Sequence, residues 1–484
     1  MNLDNIANRL VRSAGAATLS QVWRIAVTFL THMALRRMIT PEEFGPWTWA
    51  EPLFIILAQF RDLGVPGHLV RDRSKPYGNY LALQIGWGGV LSSILFLGAP
   101  IIALAYASRT EETVQILQAM CLFLFIQGVG SVPMTYFEAE LKVEKTIPAE
   151  LVRNFVFAAL ALGLAWNDYG VWSLVLAHLA AGATFSLMLW WSAWGEIELA
   201  WMPHDFKRLL LLSYPLAFMS ALEQLVLRLD PFIVGLRFED AIVGKIGLAT
   251  YAVFFFSRHL ADPIGRALYP ALVQYGAIHR ERAFGAYSTA TLFLLSFVVP
   301  AAFVLFANAK LAALFLGGVK WTGAKTYLQV LSLVPLVRPL NMFGLEFLLT
   351  QHRDRLLIFF SLFNLISLGG LGLYLTSTGL QEIGMAVAGY FPLGSLLLAW
   401  GIAQISPIGF RQLLRQIGEL YVIAALIFLP VLLISDEQAW IRLAASCAAG
   451  LAVLGYMWWR RGAAFAAFLA AAPEADPIEP PERP

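Results

Sequence analysis

Long apolar segments recur along the whole chain, and short polar connectors separate them. A helix that spans a bilayer needs about 20 predominantly apolar residues, so each segment can cross a membrane. The pattern therefore predicts fourteen spanning helices. The predicted segments are 14–34, 44–64, 79–107, 114–137, 149–166, 171–192, 209–236, 246–269, 286–307, 326–349, 356–376, 383–405, 417–435 and 439–459.

Three of these segments are less apolar than the others. The first is amphipathic and the seventh and eighth carry charges, so twelve helices is the main alternative. Basic residues favour fourteen, because the cytoplasmic connectors of membrane proteins are rich in lysine and arginine. With the N-terminus in the cytoplasm, every even-numbered connector carries at least two basic residues, whereas the connectors after the fifth, eleventh and thirteenth helices carry none. Both termini are therefore predicted to be cytoplasmic.

Composition excludes several classes of protein. Hydrophobic residues make up 59% of the 484 positions and charged residues 14%, whereas soluble domains carry about 25% charged residues. The mean hydropathy of the chain is +0.67. This value and the low charge exclude a soluble enzyme, a nucleic-acid binder and a disordered chain. The net charge of +2 indicates no particular partner. Cys121 and Cys447 lie far apart in apolar runs without metal-ligand spacing, so no metal site is predicted.

A weak internal repeat predicts two related halves. Residues 13–15 and 44–50 open the first two segments, and residues 213–215 and 246–252 open the seventh and eighth at a similar separation. Such repeats are common in secondary transporters, which place the substrate path between the halves. The predicted fold class is all-α: a polytopic membrane protein of about 14 transmembrane helices, with two six-helix halves in pseudo-two-fold arrangement and two further helices. The predicted domains are 1–208, 209–410, 411–461 and a Pro- and acid-rich cytoplasmic tail, 462–484, which is expected to be disordered.

Charged residues inside the predicted helices are the main functional signal. A charge at mid-membrane costs about 2.5–3.5 kcal/mol by insertion measurements. An ion pair that holds two helices together would explain any one of these charges. So many charged residues together indicate a hydrated path for a polar substrate. Arginine suits a diphosphate, because its planar fork donates two parallel hydrogen bonds. The interior charges are Arg24, Glu51, Arg61, Asp62, Glu223, Arg228, Asp230, Arg258, Asp262, Arg266, Arg338, Glu346 and Arg442.

The eighth segment carries the most regular charge pattern. Arg258, Asp262 and Arg266 are spaced i, i+4 and i+8, so they share one helical face that cannot contact lipid. Pro263 lies in the same turn and is expected to bend the helix. A structural role is favoured for the charges whose position relative to a helix end is uncertain. These are Arg61, Asp62, Arg266 and Arg442.

Five short motifs occur in the order and spacing typical of a known membrane family. They are 35–45 (LRRMITPEEFG), 60–65 (FRDLGV), 170–175 (GVWSLV), 229–235 (LDPFIVG) and 269–272 (YPAL). Together they resemble the polysaccharide transporters of the multidrug/oligosaccharidyl-lipid/polysaccharide exporter superfamily. Pro231 departs from the family, which usually has Asp followed by Asn at this point, and the role of Asp230 is therefore left open.

This resemblance implies a flippase rather than an enzyme. Family members move an undecaprenyl-diphosphate-linked oligosaccharide across a bacterial inner membrane by alternating access, for exopolysaccharide, capsule or O-antigen export. A central cationic cavity would hold the diphosphate and the sugar, while the lipid tail stays in the bilayer. No cofactor is expected, and coupling to H+ or Na+ is left open. The expected partners are the lipid-linked glycan, the lipid bilayer and the polysaccharide polymerase and export machinery, with no nucleic acid.

Under this hypothesis the interior charges divide into two groups. Arginines would bind the anionic head of the substrate, and acids would pair with them or carry the coupling proton, because a buried carboxyl binds a proton more readily. The predicted substrate-binding residues are Arg24, Arg228, Arg258 and Arg338. The predicted ion-coupling or charge-pairing residues are Glu51, Glu223, Asp230 and Asp262. No catalytic residue and no metal ligand is predicted.

Two other functions are alternatives. A membrane glycan polymerase or ligase would act on the same lipid-linked sugars, but such enzymes, by resemblance, need a large outer loop with catalytic arginines. The longest outer connector, 308–325, lacks His, Asp and Glu. A drug or small-molecule ion-coupled exporter of the same superfamily would need an acid-dominated, aromatic site, and the interior arginines disfavour a cationic substrate.

Overall fold

The computed structural model of the chain describes residues 23–72, 77–108, 111–140, 142–201, 207, 211, 213, 225, 232–275, 279–351, 353–377 and 384–471. These residues are predominantly helical and include no strand, which confirms the predicted all-α class. Short 3-10 turns occur at Val143–Thr146, Val319–Ala324, Val334–Leu336 and Asp436–Gln438. The α-helices are α1 (23–38), α2 (Pro41–Asp62), α3 (Val65–Asp72), α4 (Tyr77–Ala103), α5 (Glu111–Ala139), α6 (Ile147–Trp166), α7 (Trp172–Ala193), α8 (Asp240–Tyr275), α9 (Arg280–Ala307), α10 (Ala309–Gly317), α11 (Lys325–Leu331), α12 (Arg338–Thr350), α13 (Asp354–Ser377), α14 (Gly384–Ile405), α15 (Pro407–Leu432) and α16 (Ala439–Ala471).

Eight helical stretches in the described part of the chain are long and apolar enough to cross a membrane. They overlap the third to sixth, ninth, tenth, thirteenth and fourteenth predicted segments, and the chain is a multi-pass membrane protein. The seventh predicted segment, 209–236, lies almost entirely outside the described residues, so the count of fourteen stays a prediction. The eight stretches are Tyr77–Ala103, Glu111–Ala139, Glu144–Trp166, Trp172–Ala193, Arg280–Ala307, Val319–Thr350, Pro407–Leu432 and Asp436–Ala467.

The helix α2 begins three residues before the apolar pattern does, because a capping box starts it at Pro41. The Thr40 N–H donates to Glu43 Oε2 (2.8 Å), and the Glu43 N–H donates to Thr40 Oγ1 (3.3 Å). These bonds satisfy amides that have no partner at a helix start. The helix ends where Leu63 (φ 47°) and Gly64 (φ 72°) adopt the left-handed conformation, which terminates the α-helical hydrogen-bond pattern.

The tenth predicted helix, 326–349, is broken near its middle rather than continuous. A 3-10 turn covers Val334–Leu336, and α12 begins at Arg338. Pro335 and Pro339 flank the break, and proline both lacks an amide hydrogen and crowds the preceding turn. The break places Arg338 at the first position of a new helix, where its side chain is half-buried.

Contacts divide the chain into two compact units. Unit 1 comprises the chain up to Gly244 together with Leu316–Lys320, and unit 2 comprises Lys245–Phe315 together with the chain from Trp321 onwards. The helix α8 runs from one unit into the other. The predicted domain boundaries at 208, 410 and 461 stay predictions.

Unit 1 is built around α5, which packs against α2, α3, α4 and α7, while α6 packs against α7. At the predicted cytoplasmic end, aromatic rings fill the space between these helices, and the Tyr77 and Tyr136 rings meet edge to face with centroids 5.5 Å apart. This packing buries a continuous apolar cluster. Its members are Val65, Leu69, Tyr77, Tyr80, Leu83, Val132, Tyr136, Phe137, Ala149, Leu189 and Ala193.

Unit 2 is organised around α9, which packs against α12, α15 and α16. The rings of Tyr287 and Phe347 stack with centroids 5.3 Å apart, and those of Phe303 and Phe428 stack at 5.2 Å. Offset aromatic pairs of this kind add to the apolar area that they bury. The two last helices are therefore an integral part of the unit 2 core.

An ion-pair contact between Glu196 and two lysines lies at the predicted cytoplasmic edge of unit 1. Glu196 accepts hydrogen bonds from Lys142 (3.0 Å) and from Lys145. The bonds from Lys145 and Lys142 lower the pKa of Glu196 to about 2. Because this pKa is lowered, the contact is complete at neutral pH and is lost only as the pH falls towards 2. It ties the turn before α6 to the connector after α7.

We expect Glu196→Gln to release this turn, because a neutral amide loses the attraction of both lysines. Trypsin should then cleave after Lys142 and Lys145 roughly twofold faster at pH 8, a small effect as is usual for exposed ion pairs. The rate would be followed by mass spectrometry of the two peptides. Glu198 is exposed nearby, and Glu198→Gln should leave the rate unchanged. Equal rates for both variants would contradict the role of Glu196.

Candidate functional site

The predicted site residues are only partly described by the structure. Glu223, Arg228 and Asp230 lie outside the described residues. Arg258 and Asp262 lie on α8, but their side chains are also outside the described part, so their shared face stays a prediction. Arg24, Glu51 and Arg338 are described, together with Arg61, Asp62, Glu346 and Arg442 from the wider set of interior charges.

Arg338 lies in unit 2 at the start of α12. Its guanidinium carbon is 4.5 Å from the centre of the Phe254 ring on α8, a distance that defines a cation–π contact. On the same two helices, a Cβ added to Gly265 would lie 3.3 Å from Glu346 Oε1. The close approach of α8 and α12 thus brings an arginine and a glutamate to one interface within unit 2.

Arg24 lies in unit 1, where its Nη1 is 3.6 Å from Glu150 Oε2. Both side chains are only partly buried, with 33% and 24% exposed. Glu150 belongs to the first turn of α6, so the pair links α1 to α6. The prediction placed Arg24 at the substrate, and the structure adds an acid beside it.

Arg153 is a second cation at this position. It lies within α6, one turn after Glu150. Its guanidinium carbon is 4.5 Å from the centre of the Phe185 ring on α7, and it interacts electrostatically with both Glu150 and Arg24. The neighbouring Asn154 has a buried amide nitrogen with no hydrogen-bond partner among the described residues.

Glu51 and His178 continue this polar region deeper into unit 1. Glu51 on α2 and Arg153 on α6 both interact electrostatically with His178 on α7. The His178 ring lies 4.6 Å from the rings of Trp47 and Phe157, centroid to centroid. We call Arg24, Glu51, Glu150, Arg153 and His178 the unit 1 charge cluster.

The cluster has two kinds of chemistry. Two arginines, Arg24 and Arg153, offer planar donors to an anion, and phosphate oxygens suit this geometry. Glu51 adds a carboxyl group and His178 an imidazole. Sequence reasoning found Arg24 and Glu51 but missed Arg153 and His178. The signal for His178 was a titratable residue in the middle of the apolar segment 171–192.

Arg61 and Asp62, for which the sequence favours a structural role, pair with each other in unit 1. The Arg61 guanidinium donates to both oxygens of Asp62 (2.9–3.0 Å) and to the Leu124 carbonyl (2.8 Å). Tyr80 and Gln84 on α4 donate to the same carboxylate at 3.3 and 3.1 Å. This network joins α2, α4 and α5.

Arg442 is also paired. It donates to Asp436, which also accepts from Lys325. Asn308, directly after α9, donates to Ser446 on α16 (2.8 Å). These contacts fasten the start of α16 within unit 2. Among the described residues, no group of three His, Cys, Asp or Glu side chains is placed to hold a metal ion.

Comparison with solved structures identifies the fold. The fold is similar to that of the lipid II flippase MurJ in an inward closed conformation, with a TM-score of 0.71 and 13% identity over 92% of this chain and 98% of that one. It is also similar to an inward-facing multidrug resistance transporter of the MATE family in the MOP superfamily, with a TM-score of 0.59 and 14% identity over 80% of this chain and 96% of that one. The chain therefore shares the fold of these two proteins.

The family is identified from the sequence. Residues 34–326 match the polysaccharide biosynthesis protein family, and because this is more than half of the chain, the protein belongs to that family. The succinoglycan biosynthesis transport protein ExoT of Rhizobium meliloti (strain 1021) is 25% identical over 336 residues, which are 68% of this chain and 66% of that relative, just under two thirds. The resemblance read from the five motifs is confirmed.

Proposed function

We propose that this protein is a flippase that moves an undecaprenyl-diphosphate-linked oligosaccharide across the bacterial inner membrane. The observation that carries the proposal is the pair Arg24 and Arg153 inside unit 1 of a member of the polysaccharide biosynthesis family. Two guanidinium groups near each other repel, which costs free energy, and the single charge of Glu150 balances only one of them. A diphosphate that binds both of them would offset this cost.

The neighbouring groups suit the rest of the substrate head. Asn154 supplies a buried amide without a protein partner, which could donate to a phosphate or a sugar oxygen. Glu51 could accept hydrogen bonds from sugar hydroxyls, because its carboxylate oxygens are acceptors. The isoprenoid tail would stay in the bilayer. The two halves would open alternately towards the cytoplasm and the outer side, with both termini in the cytoplasm.

The reconstituted full chain provides the direct test. Liposomes would contain a fluorescent undecaprenyl-diphosphate-linked oligosaccharide, and flipping would be read as the fraction that an external quencher can reach. We expect the wild-type chain to exchange the leaflets faster than protein-free liposomes. No acceleration would contradict the proposal. Polymerised glycan in the vesicles would identify a polymerase instead, and resistance of cells to cationic dyes would identify a drug exporter.

Arg258 on α8, a predicted substrate-binding residue, offers a second test in cells. We expect Arg258→Ala to reduce polysaccharide export about tenfold or more, because a hydrogen bond to a charged group contributes about 1.5–3 kcal/mol. Arg258→Lys should retain part of the export, since it keeps the charge without the planar fork. Export would be measured at verified, equal expression. Full export by the alanine variant would remove Arg258 from the mechanism.

A further inference from the structure

The exposed side of α15 is apolar along most of its length and basic at one end. Val422, Leu426 and Leu429 are 59%, 63% and 58% exposed, and their spacing places them on one side of the helix. Arg415, two turns before Val422, is exposed on the same side. It lies two residues outside the predicted span 417–435, at the predicted cytoplasmic end. The stripe therefore has the polarity of a membrane lipid, with apolar chains and a charged head.

The neighbouring helix α16 places two more arginines at this level. Arg460 and Arg461 directly follow the predicted span 439–459. Trp459 is 81% exposed beside them, and tryptophan is enriched where the bilayer meets water. Trp459 thus marks the level of the lipid headgroups, and both arginines lie there.

A small cleft opens between α9, α15 and α16 at the same level of unit 2. Its polar lining consists of Gln416 and Glu419 from α15 and Tyr456, Arg460 and Arg461 from α16. Arg460 Nη2 lies 3.2 Å from Glu419 Oε1, and the Tyr456 hydroxyl donates to the same oxygen. These contacts fix the depth at which the two helices meet.

Arginine is in excess at this cleft. Arg415 precedes Glu419 by one turn of α15, so three guanidinium groups share this edge with one carboxylate. The side chains of Arg460 and Glu419 are 55% and 36% exposed, and exposed ion pairs are weak. Their contact therefore leaves Arg460 able to bind a phosphate as well.

Two glycines leave space beside the arginines. Gly418 on α15 and Gly455 on α16 directly precede Glu419 and Tyr456, so the hydrogen bond between those residues sets both glycines at one depth. Both are exposed, and the first carbon of a side chain added at either would meet no described atom within 4 Å. The surface next to the cleft is thus open to a headgroup.

We propose that this edge of α15 and α16 binds an anionic phospholipid of the cytoplasmic leaflet, with a phosphatidylglycerol-type headgroup at Arg415, Arg460 and Arg461. Basic pockets between transmembrane helices on the cytoplasmic side suit such headgroups. The guanidinium groups would donate to the phosphate, and Glu419 and Gln416 would accept from the hydroxyls of the glycerol. The acyl chains would lie along the apolar stripe of α15.

Native mass spectrometry of the full chain tests this site without a transport assay. The chain would be titrated in detergent with phosphatidylglycerol and, separately, with phosphatidylcholine of the same acyl chains, which is zwitterionic. We expect the wild-type chain to bind phosphatidylglycerol about tenfold more tightly, because each arginine near a membrane surface attracts an anionic lipid. Arg460→Gln combined with Arg461→Gln should remove most of this preference. Arg415→Gln, on the other helix, should weaken it about threefold to fivefold.

Three controls accompany this titration. Arg460→Lys combined with Arg461→Lys should keep most of the preference, because lysine still binds phosphate as a point charge. Arg237 and Lys320 are exposed in predicted outer connectors, and Arg237→Gln combined with Lys320→Gln should leave the preference unchanged. Phosphatidylglycerol with a photoreactive diazirine in its acyl chain should label the peptide that contains residues 422–429.

Equal affinity for the two lipids, an unchanged preference in the double glutamine variant on α16, or labelling away from α15 would overturn the inference. Farnesyl diphosphate is the competing probe, because a polyprenyl diphosphate also carries phosphates. If an equal concentration of it displaces phosphatidylglycerol, the occupant is the lipid-linked substrate and the phospholipid site is wrong. None of these measurements needs flipping, so the inference and the proposed function can fail separately.

Discussion

Replacement of Arg61 by alanine is expected to lower the free energy of unfolding by about 3 kcal/mol, the low end of the range for breaking a buried ion pair. The Arg61 side chain is 3% exposed and that of Asp62 is 23% exposed, so the remaining carboxylate keeps some access to solvent. The Asp62 carboxylate would lose the guanidinium that donates to both of its oxygens, and the Leu124 carbonyl would lose its hydrogen bond from Arg61. Denaturant unfolding in lipid nanodiscs, followed by circular dichroism, measures the change.

A conservative substitution separates charge from geometry in this network. Arg61→Lys should be intermediate, because an ammonium group keeps the charge but cannot reach both carboxylate oxygens and the carbonyl at once. Arg411 is exposed on α15, and Arg411→Ala should change stability by less than about 0.5 kcal/mol. If Arg61→Ala unfolds like the Arg411 control, the network does not stabilise the fold.

The Arg61 network shows where sequence reasoning reaches its limit. Adjacent residues on a helix do not face one another, so the order Arg61-Asp62 gives no reason to expect a pair. The pair forms because Tyr80, Gln84 and the Leu124 carbonyl surround it. These partners are 18 to 63 positions away in the chain, and only the packing of α2, α4 and α5 brings them together.

Local signals were more informative where the chemistry is local. The order Thr40-Pro41-Glu42-Glu43 carries the features of a helix start, and α2 does begin there. Hydropathy alone placed that start at residue 44, because the apolar run begins only at Phe44. In the tenth segment the apolar average hid the break at Pro335. The two prolines could have revealed it from the sequence.

The candidate site was predictable only in part, for a related reason. Arg24 and Glu51 are conspicuous because their neighbours are apolar. Arg153 lies near the start of the predicted segment 149–166, but its contact with Phe185 on α7 follows only from the packing of α6 against α7. His178 is notable only once Glu51 and Trp47 are known to lie beside it. Sequence patterns locate charges along the chain, whereas their partners follow from packing between helices.

Replacement of Arg153 by alanine is expected to slow flipping of the lipid-linked oligosaccharide about 10- to 100-fold. A hydrogen bond to a charged group contributes about 1.5–3 kcal/mol, and each 1.4 kcal/mol corresponds to a factor of ten. Arg153→Lys should flip at an intermediate rate, because the charge is kept and the planar fork is lost. The initial rate in reconstituted liposomes, at equal protein content, is the measurement. Arg282 is exposed on α9, and Arg282→Ala serves as the control.

Stability distinguishes a binding role for Arg153 from a structural one. The contact with Phe185 contributes about 0.5–1 kcal/mol if it behaves like other partly exposed cation–π pairs, so Arg153→Ala should unfold only slightly more easily than the wild-type chain. A large loss of stability together with the loss of flipping would indicate a structural role. Wild-type flipping by the alanine variant would exclude Arg153 from the substrate path.

The double variant of Arg24 and Arg153 gives the sharper result. Two arginines that bind one diphosphate act on the same ligand, so the losses from Arg24→Ala and Arg153→Ala should not add. The double variant should then flip about as slowly as the worse single variant. Fully additive losses would mean that the two guanidinium groups act independently. In that case Glu150, which lies 3.6 Å from Arg24 and also interacts with Arg153, would join them only as a structural counter-ion.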